Sequence, residues 1–175
     1  EFKEALRILN EVRNLRVRPA TDNKQILSWN AYVSLGLFEA ANVLDNSVYL
    51  DAAKSHIEVI SNVFVDNQLD VILHQSQYSN EPIGAFLDDL AACGLAFLQA
   101  YQAFADEKYI IQVTKLIEAI EQNHSKQNAL YNFHSDINDK LIAPKFEIVD
   151  SVCPSANSMV CELFLWFGFI KNLPD

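Results

Sequence analysis

The chain has 175 residues, half of them hydrophobic, with only 4 Gly and 5 Pro to punctuate it. A chain of this length forms one domain that buries roughly 70% of the surface its unfolded form exposes, and such a composition favours long helices over many short strands. The formal charge of −10 argues against nucleic acid as a partner, because phosphate binding requires clustered Lys and Arg.

All four arginines, Arg7, Arg13, Arg16 and Arg18, fall in the first 18 residues, and this basic corner reads as a solvated connector. Phe2, Ala5, Leu6, Leu9 and Val12 recur at helical spacing over Phe2–Arg13, which predicts an outer helix of an earlier hairpin. Asp22 with Gln25 three residues later has the form of a helix-capping pair. From Gln25 to Leu44 the chain is apolar on nearly every face, through Ile26, Leu27, Trp29, Tyr32, Val33, Leu35, Leu37 and Phe38. A helix without a polar face is surrounded by protein. At its start, Lys24, Trp29 and Asn30 place an aromatic plane beside ammonium and amide donors, a combination that holds a sugar or another polyol. A Trp in an apolar helical run equally suits the core.

Asp45-Asn46-Ser47 forms a short turn. Tyr49–Phe64 is one-sided, with Tyr49, Ala53, Ile57, Ile60 and Phe64 on one face and Asp51, Lys54, Ser55 and Glu58 on the other. Val71–Gln77 reads as a short extended arm. A second all-apolar helix, Ala85–Phe104, begins with Asp88 and Asp89. Neighbouring residues on a helix point ~100° apart, so only one of the two faces inward. A desolvated carboxylate there is a candidate acid or base, although acidic residues in a first turn also simply favour the helix dipole. The turn Ala105-Asp106-Glu107, a one-sided helix Lys108–Ile120 and an arm Leu130–His134 then repeat the earlier order. The last apolar helix, Ser155–Ile170, follows a polar stretch, Asp150–Ser158, in which Pro154 suits a first helical position. Ser155, Asn157 and Ser158 exceed what capping alone requires, so Asp150, Ser155 and Asn157 are candidate ligand contacts.

This order is a repeat. Leu35–Ile60 slides onto Leu95–Ile120 at a shift of 60 residues, so that Ala40 meets Ala100, Tyr49 meets Tyr109, Ile57 meets Ile117, Ser28 meets Asp88 and His74 meets His134. A third copy runs from Asn157 to Asp175, with Asn172-Leu173-Pro174-Asp175 as its turn. Stacked hairpins of this kind bury their apolar faces against one another. All-apolar helices alternating with one-sided ones describe two concentric layers, the inner helices lining a ring, in about two and a half hairpins.

Cys93, Cys153 and Cys161 lack CxxC spacing, which reads as free thiols in a reducing, cytoplasmic compartment rather than a disulfide framework or zinc site. Cys93 and Cys161 are expected to be buried, and Cys153 has no neighbouring base to activate it. No His pair has metal-ligand spacing, and His56 and His124 are expected to be solvated on outer helices. There is no GxGxxG, phosphate loop or GxSxG, so neither metal nor cofactor is expected. The apolar runs fall short of the ~20 residues of a membrane span.

Three stretches together resemble one family: Arg16-Val17-Arg18-Pro19 leading into Asp22-Asn23-Lys24 and Ser28-Trp29-Asn30; Phe86-Leu87-Asp88-Asp89; and Asp150 leading into Pro154-Ser155-Ala156-Asn157-Ser158. They are similar to the motifs of the thioredoxin-domain-containing family that includes the spermatogenesis-associated thioredoxin-like proteins, over essentially Leu6 to Pro174. The departures are Ala31 where the family has Gly, Asp88-Asp89-Leu90 for Glu-Asp-Tyr, Ser151-Val152-Cys153 for Gly-Ala-Thr, and Ala156 for Gly. The resemblance implies that residues 1–175 form one helical domain, the later part of a six-hairpin toroid, with the thioredoxin-like domain lying outside it. The fold expected is therefore all-α, about half of an (α/α)6 barrel with short extended arms between hairpins.

Two functions stay open. In one, a carbohydrate-active enzyme, glycosidase- or sugar-epimerase-like, uses Asp88 or Asp89 as acid or base and Lys24, Trp29, Asn30, Asp150, Ser155 and Asn157 to bind a sugar or similar small molecule. In the other, the toroid is a non-catalytic binding or scaffold module. Ser28, Asp88 and Asn157 should open on one end of the bundle. The apolar surface of Ser155–Ile170 predicts a homodimer through open toroid edges.

Overall fold

The structure is a computed structural model describing residues 2–66, 71–76, 83–138 and 142–172. Among these lie six helices, α1 (Phe2–Asn14), α2 (Leu27–Leu44), α3 (Ser47–Val63), α4 (Leu87–Phe104), α5 (Glu107–Asn123) and α6 (Ala156–Lys171). Two antiparallel ribbons accompany them: β1 (Val65–Asp66) with β2 (Val71–Ile72), and β3 (Lys126–Gln127) with β4 (Leu130–Tyr131). The fold is all-α. Helices α2, α4 and α6 pack side by side as an inner layer, and α3 and α5 back α2 and α4 from outside. This is the two-layer arrangement that the period of the sequence predicts.

Each hairpin turns through a left-handed residue, Asp45 (φ 47°) and Ala105 (φ 51°). The next residue then caps the outer helix: Asn46 Oδ1 accepts from the Val48 N–H at 2.9 Å, and Asp106 Oδ1 from that of Lys108 at 3.0 Å. Helix α6 ends at Asn172 in the same conformation (φ 52°); the other residues of the third expected turn lie outside the described ones. The outer helices bury their apolar stripes, Ala53, Ile57 and Ile60 of α3 and Tyr109, Val113, Leu116 and Ile120 of α5. Where α4 crosses α6 the approach is close: a Cβ on Gly94 would lie 2.7 Å from Leu163 Cδ2. A side chain there would require Leu163 to shift.

The arms position the site. Each folds back over the start of the inner helix of its own hairpin. The Leu27 N–H donates to His74 O (2.9 Å), and the Leu87 N–H donates to Phe133 O (3.0 Å). Orphan donors of the first helical turn are thus satisfied by backbone from the arm. This corrects the expected Asp22–Gln25 cap. Helix α2 begins after Ile26 with no side-chain cap. Asp22 instead accepts from the Lys24 N–H (3.1 Å) and pairs with its Nζ (3.0 Å) in an exposed stretch.

Helix α1 forms where the helical spacing predicts it, with all its residues exposed and its apolar stripe unpacked within the described residues. Other expectations are corrected as well. His56 is half-buried against Ser34 Oγ (2.8 Å), and buried His124 donates from Nδ1 to Asn132 O (2.9 Å); neither is a solvated surface histidine. Cys93 is buried, whereas Cys161 is exposed, lining an open cavity between α6, α5 and the second ribbon. Pro154 precedes the N-cap Ser155 instead of opening the helix. Gln77, the last residue of the first expected arm, lies outside the described residues.

Candidate functional site

The starts of α2, α4 and α6 meet at one end of the bundle, with α4 in the middle. Asp89 is the knot between them. Its carboxylate is fully buried and accepts from the Ser28 N–H of α2 (2.8 Å), from the Phe86 N–H at the start of its own helix (2.9 Å) and from His74 Nδ1 of the first arm (2.6 Å). Three donors around one buried carboxylate compensate its desolvation. The His74 ring packs on Phe86 (centroids 4.6 Å apart), whose other neighbours are Phe133 and His134 at 5.4 and 5.3 Å.

Asn157 performs the matching task for α6. Its Oδ1 accepts from the Tyr131 N–H (2.8 Å), and its Nδ2 donates to Tyr131 O (3.1 Å) and Glu147 O (2.9 Å). Ser155 caps the helix by accepting from the Ser158 N–H (3.1 Å), while its own N–H donates to Asp150 Oδ1 (2.8 Å). Asn157 and Asp150 thus hold the scaffold. So does Asn30, whose Nδ2 donates to Ile26 O (2.7 Å). Lys24 is exposed and tied to Asp22. None of Lys24, Asn30, Asp150 and Asn157 lines the cavity described next.

Asp88 differs from its neighbour. It lines a cavity of about 410 Å³ together with Trp29, Tyr32, Phe133, Glu147 and Ser155, under the irregular segment 146–155. Its Oδ1 is buried with no hydrogen-bond partner. Burial first, then the negative charge of Asp89, push the carboxyl up to about 6; His74 and Ser28 pull the other way. Above it, Tyr32 places its hydroxyl 3.5 Å from Met159 Sδ, and burial followed by the charge of Asp88 pushes the phenol up to about 12. Trp29, 64% exposed, stands at the cavity's edge. A protonatable carboxyl between aromatic faces can exchange a proton with a bound hydroxyl.

Sequence reasoning overlooked Tyr32, Phe133 and Glu147 as lining residues and His74 as a partner of Asp89. The repeat had flagged His74 and His134 as equivalent arm positions, so His74 left a signal. Glu147 left none, since its segment carries no period.

No known family profile matches the chain. Over 169 residues it is 28% identical to an uncharacterised protein of Caenorhabditis elegans, a match covering 93% of this chain and 23% of that protein. The chain therefore spans about a quarter of that curated relative. Among solved structures it is similar to a family 76 glycoside hydrolase α-mannanase of Bacteroides thetaiotaomicron, with a TM-score of 0.66 at 16% identity, covering 90% of this chain and 42% of that one. A second family 76 mannosidase of the same organism gives 0.61 at 11% identity over the same shares, 90% and 42%. The cellobiose 2-epimerase of Bacillus thermoamylovorans gives 0.56 at 18%, covering 65% and 33%. The shared feature is the fold, an α/α toroid of the six-hairpin glycosidase type, of which this chain spans less than half. No helix among the described residues is long and apolar enough to cross a membrane.

Proposed function

We propose that this chain forms the central part of the pocket of a carbohydrate-active enzyme, glycosidase- or sugar-epimerase-like, with Asp88 as its acid or base. The observation that supports this is Asp88 itself: a buried carboxyl, one oxygen unbonded, facing a cavity beside Trp29 and Tyr32. Asp89 is the positioning partner, since its oxygens are occupied by Ser28, Phe86 and His74. Trp29 and Phe133 offer the flat apolar faces on which a sugar ring stacks. The cavity lining carries two carboxyl groups, Asp88 and Glu147, and no Lys, Arg or His among the described residues. Glu147 is paired with Lys145, so the unpaired charge is that of Asp88, and a lining without a basic side chain favours an uncharged sugar over a phosphorylated sugar or a uronate. In the intact protein we read the toroid as following a thioredoxin-like domain, on the motifs that carry the resemblance; the complete reading frame tests this.

Calorimetric titration of the intact protein with neutral mannose- and glucose-based oligosaccharides, and with their phosphorylated and uronate counterparts, tests the assignment. Neutral sugars bind, and Asp88→Asn lowers any turnover by about a hundred-fold or more while binding persists. Absence of binding across the panel, or full activity in Asp88→Asn, overturns it. One observation favours a non-catalytic module instead: Asp89 and Asn157 direct their polar groups into the scaffold. Sugar binding without turnover in the wild-type protein would establish that reading. Pairing of the open α2 and α6 edges in a homodimer is part of the proposal, resting on the exposed Val33, Leu165, Trp166 and Phe169. Light scattering that shows a monomer at high micromolar concentration refutes it.

A further inference from the structure

Two carboxyl groups adjacent in sequence and both largely withdrawn from water repel each other strongly, because the surrounding protein screens them poorly. At the start of α4 this repulsion is governed by a third group. Asp89 has two backbone donors that cannot change charge, the N–H groups of Ser28 and Phe86, and one donor that can, His74. We propose that His74, which does not line the cavity, is the positioning residue that sets the charge on Asp88, by holding an imidazolium against Asp89 one residue away. The proposal rests on the reading of Asp88 as the acid or base.

The geometry fixes the imidazole. Its backbone is held on both sides, the His74 N–H donating to Ile83 O (2.8 Å) and His74 O accepting from Leu27 (2.9 Å). Phe86 flanks the ring at 4.6 Å, and Asp89 Oδ2 receives Nδ1 at 2.6 Å. The side chain is 17% exposed, enough to exchange its proton with solvent, while that of Asp89 is 0% exposed. With His74 protonated, the pair with Asp89 is neutral overall and Asp88 can ionise. With His74 neutral, the buried pair carries a full negative charge and Asp88 retains its proton. Burial disfavours the imidazolium, but the hydrogen bond to Asp89 and the charges of Asp89 and Asp88 outweigh it and hold His74 above its ordinary value. The other titratable groups facing this cluster are Tyr32 from α2, Cys93 from α4, His124 at the end of α5, Glu147 and Cys153 from the segment over the cavity, and His134 of the second arm across the Phe86 ring. None of them contacts Asp89 as His74 does.

The test reads Asp88 directly and needs no substrate. The intact protein is treated with a water-soluble carbodiimide and an amine between pH 4.5 and 8, and labelling of Asp88 is followed by peptide mass spectrometry. In His74→Asn, which keeps a donor at the Nδ1 position for Asp89 and loses the charge, the midpoint for Asp88 should rise by about one pH unit. Glu39, exposed on α2, should label as before. An unchanged or lowered midpoint in the folded variant overturns the proposal. If His74→Asn does not fold, the wild type decides: the His74 ring-proton resonance must titrate above the Asp88 midpoint, and titration below it is fatal. Where turnover is found, the same variant should move the pH profile of kcat/KM in the same sense. A shifted Asp88 midpoint in a protein whose turnover ignores Asp88 would sink the enzymatic reading and sustain this one.

Discussion

Helices α4 and α6 are equally apolar in sequence and differ sharply in surroundings. Helix α4 has α2 on one side, α6 on the other and α5 behind, and buries Cys93, Gly94 and Leu98 on different faces. Helix α6 packs its Met159, Val160 and Leu163 side toward α4 and leaves Leu165, Trp166 and Phe169 at 57%, 46% and 69% exposure. The comparison teaches that an all-apolar pattern reports the cover a helix requires and not the cover that its neighbours supply. A ring segment fully encloses only the helix that has a neighbour on either hand.

The widest expected difference between the two is in thiol reactivity. Cys93 is buried in α4, and burial raises its thiol above the ordinary range, so little thiolate forms. Cys161 is exposed on α6. Under native conditions a maleimide should modify Cys161 faster than Cys93 by about a hundred-fold or more, since Cys93 must wait for an opening of the helix layer. Equal rates would mean that α4 is no better covered than α6.

Stability should divide along the same line. Leu163 is fully buried against Gly94, so Leu163→Ala should cost about 2–5 kcal/mol in denaturant unfolding. Leu165→Ala, two residues on, should change it by about 0.5 kcal/mol or less in the dilute monomer, and by more only at concentrations where the proposed homodimer forms. A large loss at Leu165 would mean that the exposed face of α6 is covered, as the proposed homodimer requires.

The side-chain clasps at the helix starts carry stability of their own. Asn157→Ala removes three hydrogen bonds and leaves buried backbone groups of the second arm unpaired, an expected loss of about 2–3 kcal/mol. A loss of about 0.5 kcal/mol or less would show that water replaces the side chain.

These elements were legible in the sequence to unequal degrees. The hairpins, their turns at Asp45 and Ala105 and the alternation of inner and outer helices follow from a 60-residue period, because each unit repeats the same packing problem. The shared end of the inner helices followed from the same logic. The roles of individual polar residues did not. Asp88 and Asp89 look alike in sequence, and only the fold shows that Asp89 is consumed by Ser28, Phe86 and His74 while Asp88 faces a cavity. Long-range donors leave no local pattern. The capping expected of Asp22 failed for the same reason, since the donors it was to satisfy are met by the arm, about fifty residues away in sequence. Lining residues in the irregular 146–155 segment, Glu147 among them, have no periodicity from which to be found.

The effect expected at Asp88 is the most specific, because its sign is reversed. At the start of α6 the polar residues stabilise: Ser155 caps and Asn157 clasps. At the start of α4, Asp88 should destabilise. Its carboxyl lies at about 6 in the folded chain against an ordinary value of 3.8, so above pH 6 the folded state holds a charge that the unfolded state bears more comfortably. Asp88→Asn should therefore gain about 1–2 kcal/mol at pH 7, less than the full shift would give because the helix N-terminus favours the charge in part. The sign fixes the pH window. As pH falls through 6 the folded wild type takes up its proton and the cost shrinks, and below 3.8 both states are protonated and the advantage of Asn vanishes. Denaturant unfolding of both proteins at pH 7, 5 and 3.5 follows this directly. A gain that is independent of pH would trace to packing and not to charge. A loss at pH 7 would show Asp88 to be a helix-start stabiliser like Ser155, and its claim to be the acid or base of the site would fall with it.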